Sequence, residues 1–131
     1  MTNRFTTTTA IVLTLSAGAA QAQELTFLTD SSADTVAVTE ALTAAYTELN
    51  PDVTFSIETR PGGGEGDNII KTRLATGEMT DLFIYNSGSL LQALRPDRTL
   101  LPIDGIENFD LLNEAYLTTV QGSESDHYGV P

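Results

Sequence analysis

Three short segments gather the side chains best able to hold a small polar molecule: Asp30-Ser31-Ser32, Arg60-Pro61-Gly62-Gly63 and Tyr85-Asn86-Ser87-Gly88-Ser89. Asp and Asn can each engage neighbouring hydroxyls in pairs, and Arg presents a rigid fork of donors. Tyr offers a flat apolar face with a polar tip, a shape suited to a sugar ring. The candidate ligand-binding residues are therefore Asp30, Ser31, Arg60, Tyr85, Asn86 and Ser87. Ordinary turn and cap chemistry accounts for any one of them equally well, because such loops are built from Asp, Ser, Asn and Gly in any case. The coincidence of three such loops carries more weight than any single residue.

Other chemistries fit less well. The run from Pro61 to Asp67 is Gly-rich but lacks the Gly-Lys-Ser/Thr ending of a phosphate loop and the spacing of a dinucleotide fingerprint. Glu65 and Asp67 would repel phosphate, so the run reads as a flexible surface loop. His127, the single His, stands between Asp126 and Tyr128 with no Gly-x-Ser-x-Gly elbow to present a serine. It reads as a solvent-exposed loop residue. The absence of Cys excludes a disulfide framework, a thiolate metal site and a Cys nucleophile. Glu40, Glu48 and Glu114 fall on outward helix faces and read as solvation. A glycosidase pair cannot be chosen by spacing, since its separation is spatial, and the acidic spacing does not match an EF-hand. No catalytic residue, metal site or cofactor is expected.

The charge balance narrows the partners. Six Lys+Arg against 18 Asp+Glu give a formal charge of −12. Phosphate backbones need clustered Lys and Arg, and anionic membrane surfaces need the same, so nucleic acid and direct membrane association are both disfavoured. At 131 residues one domain is the default. A chain of this size buries about 60–70% of its unfolded surface, enough for a modest core.

The first 22 residues read as a cleavable secretory signal. Arg4 supplies a positive n-region, Ala10 to Ala20 an apolar stretch, and Ala20-Gln21-Ala22 a cleavage site. The stretch is shorter than the roughly 20 apolar residues a membrane span needs. With no Cys at the cleavage site, no lipid can be attached there. The product from Gln23 to Pro131 is expected in a periplasm, as a monomer.

The elements that must position the three segments follow from periodicity. Glu24 to Asp30 alternates and reads as a first strand, with Leu25, Phe27 and Leu28 as inward candidates. A helix capped near Ser32 or Asp34 follows, with Val38, Leu42, Ala45, Tyr46 and Leu49 as its apolar stripe, stopped by Asn50-Pro51. Val53 to Thr59 is a second strand. A second helix runs from about Asn68 to Thr76 and ends at Gly77. Asp81 to Asn86 is a third strand, whose unbroken apolar run suits a strand covered on both faces. Ser87-Gly88-Ser89 opens a third helix with Leu90, Leu91 and Leu94 inward, closed by Pro96. Leu100 to Asp104 is an extended connector. Phe109, Leu112, Tyr116, Leu117 and Val120 repeat at helical spacing behind an Asn108 cap. A polar loop from Gln121 to Asp126 leads to an extended end at Tyr128 to Pro131. The order β-α-β-α-β-α predicts a parallel sheet with right-handed crossovers. In such sheets ligands lie beyond the carboxyl ends of the strands, where all three polar segments fall.

Several of these runs resemble bacterial extracellular solute-binding proteins of the carbohydrate-uptake type. The resemblance lies in the signal, the first strand, the helix ending Tyr46-Thr-Glu-Leu-Asn-Pro51, and the strand from Val53 to Glu58. It extends to Lys71-Thr-Arg-Leu-Ala-Thr-Gly77 and, most specifically, to the run from Asp81 to Leu94. Leu100-Leu101-Pro102-Ile103-Asp104 and Tyr128-Gly129-Val130-Pro131 are similar as well. The resemblance implies a periplasmic-binding-protein-like α/β fold, a parallel sheet with helices on both faces. It implies a non-enzymatic protein of two lobes that closes on a sugar and delivers it to an ABC permease in the inner membrane. Family members are much longer, so residues 23–131 correspond to the N-terminal, incomplete part of the first lobe, without the second. Two alternatives stay open: another solute, a polyamine above all, on the same scaffold, and a secreted hydrolase using paired carboxylates.

Overall fold

The structure, a computed structural model, describes residues 22–103 and 105–131. The expected signal segment (save Ala22) and the last residue of the Leu100 to Asp104 connector lie outside the described residues. The elements are β1 (Gln23–Asp30), α1 (Ala33–Leu49), β2 (Val53–Arg60), α2 (Gly63–Thr76), β3 (Leu82–Phe83), α3 (Ser89–Ala93), α4 (Pro96–Thr99) and α5 (Glu114–Leu117), with single 3-10 turns at Phe109–Leu111 and Thr118–Val120. The strands form one parallel sheet in the order β2-β1-β3. β1 and β2 pair along their whole length, from Gln23 opposite Val53 to Asp30 opposite Arg60.

Register decides which side chains share a face, because successive residues of a strand point to opposite sides. Thr29 lies on one face, where its hydroxyl oxygen is 3.3 Å from that of Thr39 of α1. Phe55, two register steps along that face, meets Tyr46 of α1 edge to face at 5.8 Å. Leu28 points the other way and joins Ile70 of α2, Leu91 and Leu94 of α3 and the following turn, and Val120 in the buried cluster. Glu58, paired with Leu28 in register, meets Arg73 of α2 in a 2.7 Å ion pair on that second side. Helices therefore cover both faces, α1 on one and α2 with α3 on the other. This explains why Leu28 and Thr29, adjacent in sequence, are both fully buried.

The structure corrects several sequence expectations. The apolar stripe of α1 largely misses the sheet: Val38, Leu42 and Leu49 are 55%, 61% and 83% exposed, while Tyr46 of the stripe meets a strand side chain, Phe55. The inward positions are Thr39 and Thr43. Their hydroxyls donate to the carbonyls of Thr35 at 2.8 Å and Thr39 at 2.9 Å, so they can be buried without an unpaired donor. α2 begins at Gly63, so most of the expected Gly-rich loop is its first turn. β3 has two paired residues rather than six, since only Leu82 and Phe83 register with Phe27 and Leu28.

Pro96 does not simply end α3. The chain turns through Arg95 in the left-handed region (φ 58°), and Pro96, buried, opens α4. The expected continuous helix after Asn108 is broken. Asn108 is itself left-handed and makes no capping bond, whereas Asn113 caps α5 by accepting from the Ala115 amide at 2.9 Å. Of its stripe only Val120 is buried. His127 is half-buried rather than solvent-exposed: its ring lies edge-on to Phe109 at 4.9 Å and 3.1 Å from the Gln121 amide nitrogen. It forms an antiparallel bridge with Gln121, closing a hairpin.

Candidate functional site

The carboxyl ends of the strands bring most of the candidate residues to one edge. Asp30 and Arg60 are register partners, and the Ser31 amide extends the ladder by donating to the Arg60 carbonyl at 2.8 Å. The Asp30 carboxylate accepts from the Ser32 amide at 2.8 Å, an Asx turn that swings the chain out of β1. Ser32 then caps α1 by accepting from the Thr35 amide at 3.4 Å. The Ser32 hydroxyl and amide, with smaller help from Thr35 and Arg60, hold the Asp30 carboxyl below the usual carboxylate range. Asp30 is half-buried and ionised at neutral pH, while Ser31 is exposed.

Arg60 is the unusual member. It is a charged residue only 6% exposed. Its Nη1 donates to the Pro61 carbonyl at 3.0 Å and its Nη2 to the Ile84 carbonyl at 3.1 Å. Its guanidinium carbon lies 5.9 Å from the centre of the Tyr85 ring. Tyr85 also leans on Phe83 at 6.3 Å and packs against the buried cluster. The Tyr85 hydroxyl and Arg60 Nε are buried without a hydrogen-bond partner among the described residues. Burial pushes the Tyr85 phenol up; the nearby Asp67 carboxylate pushes the same way and Arg60 opposes both.

Asn86 and Ser87 follow Tyr85 and are exposed. Their loop is fixed by Gly88, whose amide donates to the Thr119 carbonyl at 2.8 Å and whose φ of 67° with ψ of −134° favours glycine.

The result is an open shelf. Asp30, Ser31 and Arg60 come together through strand register, and Tyr85 joins them through the Arg60 guanidinium. Asn86 and Ser87 are placed only by continuity of the chain. Sequence reasoning missed two participants, Asp67 and Gly66. A Cβ at Gly66 would lie 1.9 Å from the Pro61 carbonyl oxygen and 2.3 Å from Arg60 Nη1. The sequence does carry Gly66, but in a Gly-rich run that reads as loop, while the helix in fact starts at Gly63. A shallow groove of about 320 Å³ lies elsewhere, along α2, lined by Glu65, Asn68, Ile69, Thr72 and Arg73. It is made by one helix and encloses nothing.

No family model matches the chain, and no curated protein matches it. Solved structures do. An extracellular solute-binding protein family 1 member from Alicyclobacillus acidocaldarius superposes with a TM-score of 0.69 and 22% identity over 82% of this chain. A Caldanaerobius polysaccharolyticus structure described in connection with xylan utilisation gives 0.67 and 20% over 82%. An uncharacterised Listeria monocytogenes protein gives 0.65 and 17% over 83%. The chain spans 27% of the length of the first and 28% of each of the others. At these identities the likeness speaks for the fold, and the chain has the α/β, periplasmic-binding-protein-like fold of these structures.

Proposed function

We propose that the chain is the N-terminal part of the first lobe of an extracytoplasmic solute-binding protein, which captures a carbohydrate and delivers it to an inner-membrane ABC permease. The observation that carries this reading is the polar shelf at the carboxyl ends of a parallel sheet, where ligands of such folds lie. An exposed hydroxyl (Ser31), an ionised acceptor (Asp30), an aromatic platform (Tyr85) and two further polar side chains (Asn86, Ser87) are the chemistry that binds neighbouring sugar hydroxyls. The open shape fits one wall of a cleft whose other wall is a second lobe, and the coverage of the solved structures supports that division. The role is binding, without catalysis, in a periplasm, as a monomer.

A polyamine on the same scaffold is the competing solute, and the overall acidity favours it. Against it stands Arg60, a buried cation at the shelf with no carboxylate in hydrogen-bond contact among the described residues. Like charges near a shared site are unfavourable. Calorimetric titration with neutral mono- and oligosaccharides and with polyamines at low and high salt tests the choice. Binding of a neutral sugar, insensitive to salt and weakened by Tyr85→Ala, is the expected result. Salt-sensitive binding of a polyamine alone would overturn it. Turnover of a glycoside, lost on replacing one Asp or Glu, would favour the hydrolase instead.

A further inference from the structure

We infer that Arg60 is a positioning residue: it holds the segment that carries the Tyr85 platform and shields its ring, an inference that rests on the shelf being a ligand site. β2 and β3 are not neighbours, since β1 lies between them. Arg60, the last residue of β2, nevertheless reaches past the end of β1 to the carbonyl of Ile84, immediately before Tyr85. Its other terminal nitrogen holds the Pro61 carbonyl at the entrance to α2. One guanidinium therefore ties three parts of the edge together: the end of β2, the start of α2 and the segment that carries the aromatic platform. Its guanidinium carbon lies over the Tyr85 ring, 5.9 Å from the ring centre. A planar fork with fixed donors can hold two carbonyls at once in this way; a lysine ammonium on a flexible stem lacks that geometry.

Two features argue that this placement is specific. Burying a charge is costly unless it is paired, yet among the described residues no carboxylate hydrogen-bonds Arg60 and its Nε has no partner. The neighbouring helix also makes room for it. Gly66 is buried at the point where any side chain would strike Nη1. Arg60 is thus seated between the first turn of α2 and the Tyr85 ring, with both terminal nitrogens bonded to backbone carbonyls.

Tyrosine nitration of the full chain at neutral pH, located by mass spectrometry, tests this without any ligand. Far-UV circular dichroism and thermal melting establish that each variant is folded. In the parent protein the exposed Tyr46 and Tyr116 should react well before Tyr85. In Arg60→Gln, Tyr85 should become several-fold more reactive while Tyr46 and Tyr116 are unchanged, and Arg60→Lys should not restore the protection. Gly66→Ala, which displaces the guanidinium from the other side, should give the same selective release and serves if Arg60→Gln does not fold. Unchanged protection of Tyr85 in a folded Arg60→Gln, or full rescue by Lys, would overturn the inference. Unfolding of both Arg60→Gln and Gly66→Ala would do so too, since it would make Arg60 a residue of the fold alone. Failure of sugar binding leaves this readout untouched, so the two readings fail separately.

Discussion

Asp81 and Thr26 are bonded to each other reciprocally. The Asp81 carboxylate accepts from the Thr26 amide at 2.8 Å and from its hydroxyl at 2.7 Å, and the Thr26 hydroxyl accepts from the Asp81 amide at 3.0 Å. These bonds lock the residue before β3 onto the middle of β1. β3 itself contributes two ladder pairs, so this side-chain lock sets where the segment leading to Tyr85 begins.

The lock should be visible in the pH dependence of stability. The Thr26 amide, then its hydroxyl, hold the Asp81 carboxyl below its ordinary value. A lowered folded-state pKa means the stabilisation is complete above the unfolded value of about 4 and is lost as pH falls through the folded value. Asp81→Ala should therefore lower the melting temperature at neutral pH, and the gap from the parent should close on acidification. A gap that stays constant down to strongly acidic pH would show that the carboxylate charge is not responsible.

Core and surface substitutions should separate cleanly. Leu28 and Ile70 are fully buried in one cluster, so Leu28→Ala or Ile70→Ala should destabilise the protein by about 2–5 kcal/mol in denaturant unfolding. Leu42→Ser or Leu49→Ser, on the exposed stripe of α1, should change stability by no more than about 0.5 kcal/mol. Costs of the core size at Leu42 would show that the stripe is covered.

The two neighbouring glycines of α2 should respond with opposite sign. At Gly64 an added Cβ meets nothing within 4 Å, and Gly64→Ala should stabilise by about 0.5–1 kcal/mol through helix propensity. At Gly66 the same change drives a methyl group into the Pro61 carbonyl and Arg60, and a loss of about 1–3 kcal/mol is expected from overpacking. Denaturant midpoints of the two variants, measured side by side, check both.

Much of the fold was legible because strand alternation and helix stops are local signals. β1, α1 and β2 fall where Glu24 to Asp30, Ser32 to Leu49 and Val53 to Thr59 place them. The parallel order then puts Asp30 and Arg60 at one edge. What was not legible depends on partners distant in sequence. Periodicity finds the apolar stripe of α1 but cannot say which face meets the sheet, and threonines whose hydroxyls bond their own helix take that place at Thr39 and Thr43. The length of β3 depends on its register with β1, and the burial of Arg60 depends on a glycine in the next helix, Gly66. The glycine is visible in the sequence, but the contact that requires it is not.

The strand-end shelf is proposed to bind a neutral, hydroxyl-rich solute. The most direct test is a nuclear magnetic resonance titration of the isotopically labelled full chain with neutral mono- and oligosaccharides at millimolar concentration, a range that detects the weak binding expected of one cleft wall. Saturable shifts of the backbone amides of Asp30, Ser31, Tyr85, Asn86 and Ser87 with at least one sugar, unaffected by added salt, are expected. No shifts with any sugar, or shifts confined to residues away from these strand ends, would contradict it.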